Sequence, residues 1–229
     1  MREKIQTRGY WRVVIRPANF QQVRVKNVLD LKRILESSAV HFRGWDFPHV
    51  DYESDPEIGE DWVSQGIDWE MYVEYWRFYQ SGQFLHLDGF KEDWLDGVRQ
   101  LSVREKWPPR ERLAVVNTVY RFTEIFELAI RLSQTEAGDK AMYINIGLNG
   151  LKGRHLWVDE AKRTPFFAPH AALINEFKFE NEYSQAELAE KTRSLSGEQA
   201  IELFRRFGWD PRREIIQGMQ EELLSRGSR

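Results

Sequence analysis

The chain has 229 residues, 41% hydrophobic and 30% charged, with 33 Lys and Arg against 36 Asp and Glu for a net charge of −3. That composition supports a sizeable core in a mixed-charge surface, excludes intrinsic disorder, and gives no concentrated basic face for duplex nucleic acid, whose phosphates demand clustered cations. The sequence has no cysteine, which excludes disulfides, thiolate nucleophiles and cysteine-ligated zinc.

Met1 to Arg8 is charged and polar, without the apolar stretch of a signal peptide, and no apolar run approaches the ~20 residues of a membrane span. The expectation is a cytoplasmic protein. Nine tryptophans stand out within an aromatic content of 14%, and large rings in this number point first to a sheet core.

Alternation of Trp11, Val13 and Ile15 with Arg12, Val14 and Arg16 predicts a strand over Tyr10 to Arg16, ended by Pro17. Val28, Leu31, Ile34 and Leu35 behind Asn27 as N-cap predict a helix over Asn27 to Ser37. Val40 to Arg43 alternates again, which completes a β-α-β start, and Asp46 to Gly66, with Pro48, Pro56 and Gly59, reads as a long acidic loop. Trp69 to Phe90 is a hairpin turning at Ser81-Gly82. Its first strand is aromatic on both parities, Tyr72, Trp76 and Phe78 against Val73, Tyr75 and Tyr79, as suits a strand covered on both sides.

A loop with Pro108 and Pro109 precedes a long, largely buried helix over Arg110 to Glu136. Met142 to Leu148, Asn149-Gly150 and Leu151 to Asp159 predict a second hairpin, and Ile174 to Tyr183 a strand with one wet face near an edge. Two capping boxes, Ser184-x-x-Glu187 and Ser196-x-x-Gln199, with Gly208 and Asp210-Pro211, predict three short helices after residue 184. The fold class is α+β, with a mixed, mainly antiparallel sheet of about six to seven strands packed by one long helix and followed by a C-terminal group of short helices. The expected division is a sheet domain over 1–184 and a helical subdomain over 185–229 packed on it.

The segment Arg43-Gly44-Trp45-Asp46-Phe47-Pro48-His49-Val50-Asp51 gathers a guanidinium, two carboxylates and an imidazole where a strand ends, a common setting for sites. A plain turn shaped by Asp46 and Pro48 explains the same residues. His86 and Asp88 share one strand face. The candidate binding residues are therefore Arg43, Trp45, Asp46, His49, Asp51, His86 and Asp88. No metal or other cofactor is expected; in an alternative reading, His49, Asp51, His86 and Asp88 hold a divalent metal in a hydrolase or nuclease. Glu176-x-Lys178 with Asp159 fits a metal-dependent nuclease, and also fits the solvent face of a strand. Glu124 and Glu127 on the long helix are explained by ion pairs with Arg121 and Arg131 on its surface.

The last helices carry Arg205, Arg206, Arg212 and Arg213, offset by Glu214, Glu221 and Glu222, which favours docking of a partner over a groove-reading helix-turn-helix. Nucleic-acid binding through these helices is kept as a second alternative. No Gly-x-Ser-x-Gly, Walker or His-Glu-x-x-His motif is present.

Arg8-Gly9-Tyr10-Trp11, Arg43 to His49, Tyr79-Gln80-Ser81-Gly82-Gln83-Phe84 and Phe207-Gly208-Trp209-Asp210 resemble an uncharacterised family of small standalone bacterial proteins with no established activity. The resemblance implies a bacterial cytosolic origin and supplies no catalytic residue. Without a catalytic motif, the sequence favours a non-enzymatic binding or regulatory protein recognising a small ligand or protein partner. Whether any catalysis occurs, and the oligomeric state, are left open.

Overall fold

The computed structural model describes residues 1–95 and 110–227. The elements are α1 (Arg2–Gln6), β1 (Tyr10–Pro17), α2 (Asp30–Ser38), β2 (Glu57–Ile58), β3 (Trp62–Trp69), β4 (Tyr72–Tyr79), β5 (Phe84–Gly89), β6 (Arg112–Ala114), α3 (Val115–Ser133), β7 (Ala141–Asn149), β8 (His155–Trp157), β9 (Glu176–Ser184), α4 (Gln185–Arg205) and α5 (Arg213–Gly227). Lys91–Asp93 forms a single 3₁₀ turn after β5. The fold is α+β, built on a seven-stranded antiparallel sheet in the order β2-β3-β4-β5-β1-β7-β9 with a separate parallel pair, β6 and β8.

Alternation along β1 and β4 decides which face meets which layer. Trp11, Val13 and Ile15 of β1 and Trp76 and Phe78 of β4 join the main core with Phe122, Ile125, Phe126 and Ala129 of α3. Val73 and Tyr75, on the opposite parity of β4, pack with Leu87, Trp94 and Ile5 of α1. Strand β4 is thus covered on both faces, as its double aromatic pattern requires. Each large apolar side chain so buried is worth ~1.5–3 kcal/mol, which makes α3 the main anchor of the sheet. Helices α4 and α5 pack behind α3, and α2 packs against α3 and β4.

The β4–β5 turn depends on Gly82. Its φ is +83°, and a Cβ there would lie 2.0 Å from the Ala137 carbonyl oxygen, so only glycine fits. At the other end of the chain, the Ser184 capping box forms reciprocally with Glu187.

Several expected elements differ. Val40 to Arg43 forms no strand; Val40 makes one antiparallel bridge to Phe47, because the chain doubles back within the Arg43 to Asp51 turn. The loop expected to reach Gly66 ends earlier, as Trp62–Trp69 is β3, paired along its length with β4. Polar Ser64 and Gln65 hide its alternation. The long helix starts at Val115, since Arg112–Ala114 pairs with β8. Asn149-Gly150 does not close a hairpin: β7 pairs with β1 and β9, and β8 leaves the sheet. Ser196 starts no helix; it lies inside α4 with Oγ bonded to the Thr192 and Arg193 carbonyls, so among the described residues two helices follow β9, not three. Among the described residues strand β9 pairs with β7 alone and forms the sheet edge. The loop with Pro108 and Pro109 lies outside the described residues.

Candidate functional site

Three rows of side chains cross from β4 through β5 to β1 on the face toward α3. Phe78, Phe84 and Ile15 form one, Trp76, His86 and Val13 the next, and Glu74, Asp88 and Trp11 the last. The core therefore changes from apolar to ionic along the strands, and the ionic end meets Asn117, Arg121 and Glu124 of α3. Glu74, His86, Asp88, Arg121 and Glu124 are all buried. Two carboxylates directly opposite on neighbouring strands repel unless a cation intervenes. Here each has its own partner: Arg121 Nη2 lies 2.8 Å from Asp88 Oδ2, with Nη1 3.2 Å from Glu124 Oε2, and His86 Nε2 lies 2.8 Å from Glu74 Oε2.

The Arg43 to Asp51 turn closes this end, and its odd-numbered residues make the contacts. Arg43 donates Nε and Nη2 to the two oxygens of Glu124 at 2.6 and 2.7 Å, and Nη1 to Asn117 Oδ1 at 2.7 Å. This bidentate geometry holds the turn to α3. Trp45 donates Nε1–H to Glu74 Oε1 at 2.7 Å. Phe47 is wholly buried, edge-on to the His86 ring with centroids 5.0 Å apart. The His49 carbonyl accepts Trp76 Nε1–H at 2.9 Å, and Asp51 N donates to Gln65 Oε1 at 2.9 Å.

The Trp45 ring is parallel to His49 at 3.9 Å and to Tyr72 at 3.8 Å. Two rings that close to one indole cannot share a face, so Trp45 is sandwiched between them. Trp69 lies beside the stack, 5.5 Å from Trp45 and 5.9 Å from Tyr72, and is 56% exposed. Lys91 Nζ stands 4.2 Å over the Tyr72 ring.

Charges in this corner shape one another. Burial works to raise Glu74, but the His86 hydrogen bond at 2.8 Å, with His86 and Arg121 charge and Trp45, outweighs it and holds the carboxyl below its usual range. Asp88 is raised, first by burial and then by Glu74, against the pull of Arg121. Burial would lower Arg121, yet Asp88, Glu124 and Glu74 keep it above its ordinary value. Burial, then Arg43 and Arg121, push Lys91 down to about 8. The Nδ1 atoms of His49 and His86 are buried without a hydrogen-bond partner among the described residues.

Of the seven residues singled out by sequence, Arg43, Trp45, His49, His86 and Asp88 belong to this one arrangement. Asp46 instead pairs with His41 Nδ1 at 2.7 Å near the surface. Asp51 accepts from Ser54 Oγ and Glu53 N, which hold its carboxyl below the usual range. The four residues of the metal alternative do not form a common ligand set, because His86 is bonded to Glu74, Asp88 is paired with Arg121, and Asp51 is taken up by its own turn. Among the described residues no group of three or more His, Asp and Glu is placed to hold a metal ion.

Glu176 and Lys178 pair with each other at 3.1 Å on the exposed edge strand. Asp159 caps α3, accepting from Val116 N and Asn117 N at 2.7 and 3.0 Å. At the C-terminus, Arg205 pairs with Asp210 and Glu202, Arg206 with Glu202, and Arg213 with Glu198.

Sequence reasoning missed Glu74, Lys91, Arg121 and Glu124. Glu74 carries a legible signal: it shares the parity of Trp76 and Phe78 in a strand covered on both faces, so its carboxylate is buried. The expected Arg121–Glu124 pair exists, but not on the surface; both side chains are buried and shared with Asp88 and Arg43.

Comparison of the chain with protein-family models, with curated proteins and with solved structures finds no match in any of the three. Among the described residues no helix is long and apolar enough to cross a membrane.

Proposed function

We propose that this is a non-enzymatic binding or regulatory protein of the bacterial cytoplasm, and that its ligand docks where the Arg43 to Asp51 turn meets the end of the β3–β4 hairpin and Lys91. The observation that supports this reading is the ionic cluster beneath the turn. Buried ion pairs rarely stabilise a fold more than apolar packing of the same volume, and charged groups with shifted pKa values gather at functional sites. Here three carboxylates, two guanidiniums and an imidazole hold one turn in place beside a partly exposed lysine and an exposed indole. The consumed groups serve as scaffold, while Lys91 and Trp69 at the margin meet the ligand.

Tryptophan fluorescence and thermal shift against a panel of small metabolites test the reading. A reproducible ligand should bind the wild type and lose at least about fivefold in affinity in Trp69→Ala, an exposed position where truncation spares the core. No ligand across the panel, or ligands indifferent to Trp69→Ala, would refute it.

A further inference from the structure

We infer that the ligand of this site is an anion, carrying carboxylate or phosphate oxygens, and that Lys91 Nζ is the group that meets it. This rests on the binding reading above and narrows it to a chemical class.

The inference starts from how the cluster distributes its charges. Glu124 is held by Arg43 and Arg121, Asp88 by Arg121, and Glu74 by His86 and Trp45. Each carboxylate therefore has a donor other than Lys91. The ammonium has no ion pair or hydrogen bond among the described residues; its close neighbour is the face of Tyr72. An ammonium over a phenol ring is attracted to its face, and its N–H donors stay available.

Among the charges acting on that nitrogen, the two guanidiniums come first. Burial depresses the lysine first, and the repulsion of Arg43 and Arg121 comes ahead of the attraction of Asp88 and Glu124. A cation beside two guanidiniums, partly out of water and without a counter-ion among the described residues, is relieved by an incoming anion. The nearby N-terminus of α3 does not compete for that anion, because Asp159 already takes its first amides. Recognition thus falls to the lysine, with the Tyr72 ring behind it and Arg43 as a fixed charge nearby.

The test titrates wild-type protein with inorganic phosphate and, separately, with acetate, at ionic strength held constant with chloride, following tryptophan fluorescence and Tm. At least one of the two should bind saturably, and which one does separates a phosphate ligand from a carboxylate. Above about pH 8 affinity should fall, by up to about tenfold per pH unit, as the free lysine loses its proton. Lys91→Gln should weaken binding at least about tenfold, and Lys91→Arg should retain it.

Neither anion binding better than chloride, or binding undiminished in Lys91→Gln, overturns the inference. So does a pH profile flat to pH 10, a readout that needs no variant. A neutral ligand that binds, and is weakened by Trp69→Ala but not by Lys91→Gln, would leave the site in place and overturn its anionic character.

Discussion

Replacing Glu92 by glutamine should remove a pH dependence built into the fold. Glu92 lies in the 3₁₀ turn after β5 and is buried, 5% exposed. One carboxyl oxygen accepts the Ala114 amide, and the other has no hydrogen-bond partner among the described residues. Burial pushes its pKa from 4.5 up to about 7, and nearby Asp159 adds to the effect, against the Ala114 amide and Arg154. The folded protein therefore keeps this carboxyl protonated where the unfolded chain ionises it. Stability is full below about pH 4.5, falls as pH rises to about 7, and levels off above. The gap between 4.5 and about 7, at ~1.36 kcal/mol per pH unit, gives roughly 3 kcal/mol, of which ~2.5 kcal/mol falls between pH 5 and 8. Glutamine keeps the carbonyl acceptor for Ala114 and does not titrate. Urea unfolding of both proteins at pH 5 and pH 8 should show the variant gaining ~2.5 kcal/mol on the wild type over that interval. Titrating groups remote from Glu92 cancel in the difference. A difference constant to within ~0.5 kcal/mol would refute the reasoning.

Two further substitutions probe the scaffold. Glu124→Gln leaves Arg43 and Arg121 buried with one counter-charge fewer and should cost ~3–5 kcal/mol in urea unfolding, with altered near-ultraviolet circular dichroism as the turn under Trp45 loosens; a loss below ~1 kcal/mol would mean that the network is better solvated than its burial implies. Ser184→Ala removes half of the α4 capping box and should cost ~1 kcal/mol, and adding Glu187→Ala should cost less than the separate effects combined, because each side chain caps the other's backbone amide.

Periodic patterns in the sequence made most of the sheet legible. The double parity of β4 foretold its covering on both faces, and the Glu and Lys alternation of β9 foretold an edge. What escaped depended on partners distant in sequence. The second strand of the Asn149-Gly150 turn was predicted from turn chemistry that is locally sound, but β7 finds β1 and β9 as neighbours instead, and no local pattern encodes that choice. Likewise Ser196-x-x-Gln199 has the composition of a helix start, yet Ser196 is buried against Gln220 of α5 and the helix runs through it. The turn residues of the site were visible as a cluster of unlike charges. Their counterparts Glu74, Arg121 and Glu124 read as ordinary polar positions, because their burial comes from the sheet and α3 meeting, which the sequence states only indirectly.

The position of β1 has a consequence for how the chain is made. It is synthesised before the other strands of its sheet, yet it lies between β5 and β7 and joins the β2–β5 meander to the β7–β9 half. Its register with β7 reaches Asn149, so on a ribosome adding about 5–20 residues per second the apolar row of Trp11, Val13 and Ile15 waits on the order of ten seconds for its second neighbour. For that interval the nascent chain carries an uncovered β-edge, and closure that joins strands so distant in sequence is slow compared with the pairing of neighbours.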